Sequence, residues 1–364
     1  MRELAAQLPA DARRVDLGGR VVLPGFVDGH CHLELTTMHL AYAVSCFAPP
    51  HASLEEICRS LAARATGVAP GAWIVGRANF SLDLWVDEHR TLSRADLDPV
   101  TPDHPTVVFT GLHQCTLNTR ALEVTGLLSE PPPRGATLDG PSGRAMELWA
   151  QLPLPSYGVD ATAAALRGLG TELFTRHGVT SIAEIPFTSD GIRAYQALHR
   201  RGELPFRLGL WYHVPRLCDV DDLAGLGLEG GFGDDWLSLG GVKIFVDGAG
   251  FDATGNDFEH LQWTQEELDH AVWTAHAAGL QVLMHVAPTS VRHAPVRLQL
   301  RRRLTRPGVL PALDASPHGL SYPWQQRLHW DATRGGQSIP RNLVRRRSPN
   351  TGRHGGRSGR TRRP

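Results

Sequence analysis

The hydrophobic positions in the second half of the chain alternate between a helical period and continuous apolar runs. Apolar residues recur every three or four positions over about 160–174, and the apolar run 178–185 that follows predicts a buried strand. The pattern then repeats toward residue 286. It predicts a helix over 189–201, strands over 206–213 and 241–247, a helix from the capping box of Thr264 and Glu267 to Gly279, and a strand over 280–286.

The first half of the chain carries weaker signals. Ser53 and Glu56 have the spacing of a capping box, which predicts a helix over 53–66. Short strands are predicted at 73–76 and 106–109. The first twenty residues predict only a helix end and a short strand.

Two histidines follow an apolar run near the start of the chain. The run 21–27 is interrupted at Pro24 and Gly25, and His30 and His32 come directly after it. Alternate residues of a strand share one face, so two neutral imidazoles there form half of a divalent-metal site. The alternative is a pair of unrelated surface histidines.

Repeated β/α units with buried strands predict an α/β fold with a parallel sheet. Together with the opening histidine pair, they favour an incomplete TIM-type (β/α)8 barrel. A doubly wound sheet is the alternative, but no glycine-rich phosphate loop supports it.

Composition narrows the class of protein. The 364 residues, 41% of them hydrophobic, suffice for one large domain or two smaller ones, and no apolar run reaches membrane-spanning length. Because no signal peptide is recognisable, we expect a cytoplasmic protein. The five cysteines form no CxxC pair, which predicts free thiols, and Cys31 is expected to point away from the two histidines.

The net charge of zero conceals two compositional regimes. Residues 287–364 hold seventeen arginines and two acidic residues, a balance of +15, and residues 1–286 carry the opposite balance. The basic segment has no sustained apolar stripe, so we expect it to be disordered. A role as a nucleic-acid arm is the alternative, but its aromatic residues are few, and only non-specific binding is expected.

Several segments resemble the amidohydrolase superfamily. Pro24, Gly25, Asp28, His30 and His32 match its PGxxDxHxH signature, and the segments at 92–98, 242–248 and 279–285 resemble its amidohydrolase 3 branch, which includes N-substituted formamide deformylases. The resemblance implies a metal-dependent hydrolase of non-peptide carbon–nitrogen bonds with a small amide-like substrate. A barrel remnant that binds a metal or ligand without catalysis is the alternative.

The resemblance also implies a ligand set of His30, His32, Lys243 and His285 for one or two zinc ions. Lys243 is the only lysine of the chain and lies in a predicted buried strand, where carboxylation would make it an anionic bridging ligand. A salt bridge to Asp247 is the alternative for Lys243. For His285, the alternative is a core histidine.

Three further residues gain candidate roles from the resemblance. His113 and Asn118 lie in a segment similar to GHxxxxNSxAL and are expected to contact substrate, with loop capping as the alternative. Glu147 is a candidate ligand or partner of a ligand, and a solvated glutamate is its alternative. Asp247 is a further candidate partner.

The resemblance implies two further site residues, a histidine on strand six and an aspartate on strand eight that acts as the general base. The sequence offers no candidate for either, so the general base is unassigned. We therefore expect a chain that begins late and whose reading frame shifts near codon 287. The expected regions are a β-sandwich remnant (1–22), a partial barrel (23–286) and a basic tail (287–364). Unpaired barrel edges favour aggregation or a homo-oligomer.

Overall fold

The computed structural model describes Pro9, Arg13 and residues 15–148, 151–246 and 262–285. Within them the chain forms eleven strands and eight α-helices. The strands are β1 (Phe26–Cys31), β2 (Val44–Ser45), β3 (Ile74–Ala78), β4 (Thr106–Thr110), β5 (Gln114–Leu117), β6 (Thr137–Asp139), β7 (Arg144–Met146), β8 (Val179–Glu184), β9 (Arg207–Val214), β10 (Leu237–Phe245) and β11 (Gln281–His285).

The helices follow the predicted positions where the periodicity is strong. Ser53 accepts a hydrogen bond from the Glu56 amide, and Thr264 and Glu267 form the complete capping box. The helices are α1 (Leu33–Tyr42), α2 (Leu54–Ala65), α3 (Arg94–Leu97), α4 (Thr119–Val124), α5 (Val159–Leu173), α6 (Ser189–Arg200), α7 (Val220–Gly225) and α8 (Gln265–Ala277). No helix in these described ranges is long and apolar enough to cross a membrane.

Five strands form an all-parallel sheet in the order β1-β8-β9-β10-β11. From β8 to β10 each strand is followed by a helix, so the predicted β/α repeat is confirmed there. Apolar side chains from the strands and helices pack between the two layers, including Leu166, Ile182 and Leu198 below β8 and β9 and Val242 and Ala271 below β10. Burial of this kind contributes about 25 cal/mol for each Å² of apolar surface, which holds the helices on the sheet.

The parallel sheet curls into a half-barrel. Nζ of Lys243 on β10 lies 3.3 Å from Nε2 of His30 on β1, although β8 and β9 lie between these two strands. Neighbouring strands are about 4.8 Å apart, so three spacings of a flat sheet would separate the two backbones by about 14 Å. Closure to an eight-stranded barrel stays a prediction.

A second sheet of six strands, in the order β2-β3-β4-β5-β7-β6, comes from the chain between β1 and β8. Strands β2 to β4 are parallel and the others antiparallel. The predicted single barrel did not include this sheet. The strands predicted at 73–76 and 106–109 are confirmed as β3 and β4, whereas the other four have only two to four residues, which is too short for a clear hydrophobic period.

The predicted short strand before residue 20 is wrong. Residues 15–25 form no strand, and Val21, Val22 and Leu23 are 85%, 69% and 69% exposed. Pro24 has no N–H to give to a strand ladder, and pairing begins only where the Phe26 amide donates to the Gly178 carbonyl. The sandwich remnant stays a prediction, and Asp247 and the basic tail lie outside the described residues.

Candidate functional site

Candidate ligands from three strands meet at the carboxyl ends of the parallel sheet. His30 is the next-to-last residue of β1, Lys243 lies near the end of β10, and His285 ends β11. Lys243 and His285 contact Phe245, whose ring centroid lies 5.4 Å from that of His285 and 4.7 Å from Nζ of Lys243. This is the end of a parallel α/β sheet at which ligand and catalytic sites form.

His30 and His32 point to the same side, as the alternation predicts. Their ring centroids are 5.3 Å apart, and the ring of His32 lies 6.3 Å from that of Phe245. His32 has already left the strand and is the N-cap residue of α1. Cys31 points the other way into the core between sheet and helices, as the alternation predicts.

The histidines of this cluster are held in the neutral form. Burial, followed by the charge of Lys243, lowers the pKa of His30 to about 4, and burial lowers the pKa of His285 to about 3. Nδ1 of His32 and Nε2 of His285 are buried and have no hydrogen-bond partner among the residues that the structure describes. Neutral imidazole nitrogens with open lone pairs are the atoms that bind zinc.

Lys243 is fully buried, and burial lowers the pKa of its amine to about 7. No carboxylate of the described residues lies within ion-pairing distance of Nζ, and Asp247, the predicted alternative partner, lies outside them. A large fraction of the amine is therefore uncharged at neutral pH, and carboxylation requires that form.

The sequence interpretation missed His213, which belongs to the same cluster. It lies near the end of β9 directly opposite Lys243 in the strand register, and its ring centroid is 4.8 Å from that of Phe245. It is buried, and burial lowers its pKa to about 3. A histidine near the carboxyl end of a predicted strand was the signal that could have identified it, because the same signal identified His285.

His113 joins the cluster from the second sheet. Its ring centroid lies 5.0 Å from that of His285, and its Nδ1 lies 2.6 Å from Oε1 of Glu147. Gln262 donates to the other oxygen of Glu147 at 3.1 Å. Glu147 is buried, so the alternative of a solvated glutamate is wrong. Its carboxylate instead orients the imidazole of His113.

Asn118 has the capping role that was the alternative to substrate contact. It is fully buried at the N-cap of α4, and its Oδ1 accepts from the amides of Thr106 and Ala121. Its Nδ2 donates to the carbonyls of Thr101 and His104. All the hydrogen-bonding capacity of the amide is used within the second sheet, so none remains for a substrate.

A buried carboxylate at the end of β8 fixes the start of α1. Oε2 of Glu184 accepts from the Leu33 amide at 2.6 Å, and Oε1 accepts from the Glu34 amide at 3.0 Å and from the Tyr195 hydroxyl. These two amides would otherwise lack a partner at the helix start. Because they follow His32 directly, Glu184 fixes the backbone that carries this histidine.

Glu34, at the start of α1, makes the reciprocal contact with the residues that follow β8. Its carboxylate accepts from the amide of Phe187 at 2.8 Å and from the amide and hydroxyl of Thr188, the N-cap of α6. Phe187 in turn packs edge-on against His32, with ring centroids 5.1 Å apart. Glu184 and Glu34 thus form a reciprocal carboxylate clamp between the ends of β1 and β8. Sequence reasoning had not singled out either residue.

The side chains of this cluster have the donor atoms that a divalent metal requires, but their positions do not form a coordination site. Within the described parts of the chain, no group of three or more His, Cys, Asp or Glu side chains is placed so that it could hold a metal ion. The Phe245 ring occupies the space among the histidines. The neutral imidazoles and the ring nitrogens of His32 and His285, which have no partner among the described residues, are nevertheless atoms of the kind that bind divalent metals.

Comparisons with known proteins show the family of this chain. The chain is 26% identical over 263 residues to an N-substituted formamide deformylase of Arthrobacter pascens, covering 68% of this chain and 48% of that protein. It is 27% identical over 312 residues to Protein LONG AFTER FAR-RED 3 of Arabidopsis thaliana, covering 74% and 50%. The chain spans about half the length of the curated relatives it matches.

A crystal structure of an uncharacterized metal-dependent hydrolase from Pyrococcus horikoshii has the same fold, with a TM-score of 0.55 and 21% identity, over 80% of this chain and 58% of that one. The sequence profile of the amidohydrolase family matches residues 13–297, which is most of the chain. The chain therefore belongs to the amidohydrolase family.

Proposed function

We propose that this protein is a metal-dependent hydrolase that cleaves carbon–nitrogen bonds other than peptide bonds in small amide-like molecules. The observation that carries the proposal is the convergence of His30, Lys243 and His285 at the carboxyl ends of parallel strands, with Nζ of Lys243 3.3 Å from Nε2 of His30. The similarity to a formamide deformylase supports the choice of bond.

The proposed metal is zinc, held by His30, His32, Lys243 and His285. An imidazole-rich set favours zinc over magnesium or calcium, which prefer oxygen ligands. One ion needs the histidines alone, whereas two ions need Lys243 in the carboxylated form. When bound, the metal supplies an activated water and polarises the substrate carbonyl.

The residues of the chain prepare the site for that chemistry. Burial keeps the histidine ligands neutral, and Glu147 holds His113 by its Nδ1, which leaves the Nε2 of His113 to meet a substrate. Phe187 and Phe245 pack against the imidazoles and exclude water from them. Asp247, outside the described residues, stays a predicted partner of the ligands.

Two further properties belong to the proposal. All five cysteines are free thiols, four of them buried, which supports a reducing compartment such as the cytoplasm. β1 and β11 are the edge strands of the described parallel sheet, and an exposed edge favours pairing with another chain, so a homo-oligomer is proposed.

A barrel remnant that binds metal or ligand without catalysis is the second candidate. The position of Phe245 favours it, because the ring occupies the space among His213, His285 and His32.

The two candidates are separated by loading the purified chain with zinc and measuring amine release from N-substituted formamides. His270, a surface histidine paired with Asp221, is the control. Hydrolysis that is lost in His30→Asn but kept in His270→Asn supports the hydrolase. Zinc binding without amine release supports the remnant.

A further inference from the structure

The phenyl ring of Phe245 lies in the middle of the histidine cluster. Its centroid is 4.8 Å from the ring centroid of His213 and 5.4 Å from that of His285, and the ring of His32 stacks on it at 6.3 Å. Nζ of Lys243 lies 4.7 Å from the same centroid. Phe245 is buried, so its ring fills space that lies inside the protein and between side chains of the proposed metal site.

The ring and a metal ion cannot share this space. A zinc–nitrogen bond is about 2.1 Å long, whereas two carbon atoms in van der Waals contact are about 3.5–4.0 Å apart. Imidazoles that are held apart by a phenyl ring are therefore too far from a common centre to bind one ion. This agrees with the finding that, within the described ranges, no three His, Cys, Asp or Glu side chains are placed to hold a metal.

The nitrogens of the cluster are either engaged by the protein or left without a partner. Nε2 of His30 lies within hydrogen-bonding distance of the Lys243 amine, at 3.3 Å. Nδ1 of His32 and Nε2 of His285 are buried and have no hydrogen-bond partner in the part of the chain that the structure describes. Buried polar atoms without a partner are costly, so a metal that binds these nitrogens would remove that cost.

The backbone of Phe245 is anchored independently of its ring. Phe245 is paired with His285 in the parallel register of β10 and β11, and its carbonyl accepts from Nε1 of Trp263 at 2.8 Å. Neither contact involves the phenyl ring. Rotation about the Cα–Cβ bond to another staggered position therefore displaces the ring from the histidines while the strand stays paired.

We propose that Phe245 is a displaceable plug of the metal site, which fills the centre of the histidine cluster in the metal-free chain and turns out of it when a divalent metal binds. The inference rests on the proposed function, because it requires the metal site of that proposal. The form with the ring displaced is a minor population without metal. The apparent metal affinity is then lower than the intrinsic affinity of the ligands by the fraction of open molecules. Phe245 thereby sets how tightly the chain holds its metal.

The test measures the zinc affinity of the full-length chain and of Phe245→Leu, with a competing fluorescent zinc chelator as the indicator. Leucine is smaller and has no flat ring, so the variant lacks the plug. We expect zinc to bind at least about tenfold more tightly to this variant than to the wild type. Phe206→Leu is the matched control and should bind zinc as the wild type does. Phe206 is also buried, but it lies in the core between the parallel sheet and its helices.

Thermal melting distinguishes a plug from a residue that only supports the fold. Both substitutions should lower the melting temperature in the presence of a chelator, because each removes packed carbon atoms. A ligand stabilises the folded state according to its affinity. The same zinc concentration should therefore raise the melting temperature of Phe245→Leu more than that of the wild type or of Phe206→Leu. Equal zinc-induced shifts in the three proteins overturn the plug.

A measurement on the wild type needs no variant. Nuclear Overhauser contacts between the ring protons of Phe245 and those of His213 are expected in the metal-free chain, where the two centroids are 4.8 Å apart. These contacts should disappear when zinc is added. Their persistence in the zinc-bound chain overturns the plug.

The outcomes also separate the plug from the proposed function. Equal zinc affinity of the wild type and Phe245→Leu overturns the plug and leaves the metal site in place. Absence of zinc binding by both proteins overturns the plug together with the metal site. Tighter zinc binding by Phe245→Leu without amine release from N-substituted formamides supports the plug and contradicts the hydrolase.

Discussion

Lys243 and His30 are neighbours across the interior of the curled sheet, with Nζ of one 3.3 Å from Nε2 of the other. Their strands are separated by two others, so the contact exists only because the sheet curls. The amine is fully buried among neutral imidazoles, where its charged form is disfavoured. Its position is thus better explained by chemistry at the site than by stability of the fold.

The first prediction is that Lys243→Met stabilises the metal-free protein. The folded-state pKa of about 7 is below the ordinary value of 10.5, so the unfolded chain binds more protons between these values and wild-type stability rises with pH across that window. The gain from Met is therefore largest at or below pH 7, at about 1 kcal/mol or more, and vanishes toward pH 10.5. Urea unfolding with chelator at pH 6.5 and 9.5 measures it. Equal stability of the two proteins at pH 6.5 would contradict the prediction.

The second prediction concerns bound metal. His285→Ala and His213→Ala should each lower the zinc content of the purified chain, the first to near zero and the second partially, because His213 lies opposite Lys243 without belonging to the proposed ligand set. Elemental analysis gives the metal per chain. His270→Asn serves as the control and should leave the content unchanged, since His270 lies on the surface beside Asp221. Zinc retained in His285→Ala would remove this residue from the site.

The third prediction concerns the carboxylate clamp. Burial raises the pKa of Glu184 to about 8, against an ordinary value of 4.5. The folded state binds a proton that the unfolded chain has lost over this range, so the wild-type protein loses stability as pH rises from 4.5 to 8. Glu184→Gln cannot ionise, and its stability relative to wild type should increase across the same range.

Unfolding in urea at pH 5 and pH 8 tests this, with exposed Glu172→Gln as the control that should show no such trend. Glu184→Ala should instead cost about 2 kcal/mol or more at either pH, because it leaves two buried amides without an acceptor. A Gln variant whose relative stability is flat with pH would show that Glu184 does not titrate in this way.

The fourth prediction separates capping from substrate contact at Asn118. Asn118→Ala removes the N-cap hydrogen bond to Ala121 in α4 and the hydrogen bonds to Thr106, Thr101 and His104, which should lower the free energy of unfolding by about 2 kcal/mol or more. Zinc content and substrate KM should stay unchanged in the folded fraction. Exposed Ser129→Ala is the control for stability. A raised KM without loss of stability would restore Asn118 as a substrate contact.

Much of the parallel sheet could be predicted because its signals are local. The strands predicted from the apolar runs at 178–185 and 280–286 are confirmed as β8 and β11. The capping boxes correctly predicted where helices begin. The second sheet could not be predicted in the same way. Only β3 and β4 were predicted, because the other four strands have two to four residues and draw their stability from partners distant in sequence, such as the pairing of β5 with β7.

The residues of the candidate site likewise fall into those with a local sequence signal and those that depend on long-range contacts. His30, His32 and His285 stood out because they lie at or after the end of an apolar strand, and Lys243 because it is the only lysine of the chain and lies in an apolar strand; the structure brings them together. Glu147 was assigned only a choice of roles, since its contact with His113 joins residues 34 positions apart in the chain. The clamp of Glu34 and Glu184 joins residues 150 positions apart and carries no sequence pattern.

The sequence by itself determined the family, the order of the β/α units and the residue types that can bind a metal, because periodicity, capping and motif spacing are properties of neighbouring residues. Only the tertiary structure decided which of those residues meet. It brought Lys243 to His30 by the curl of the sheet, placed His213 and Phe245 among the histidines, and used Asn118 as a cap. Those contacts depend on burial and long-range packing, which no local stretch of sequence encodes.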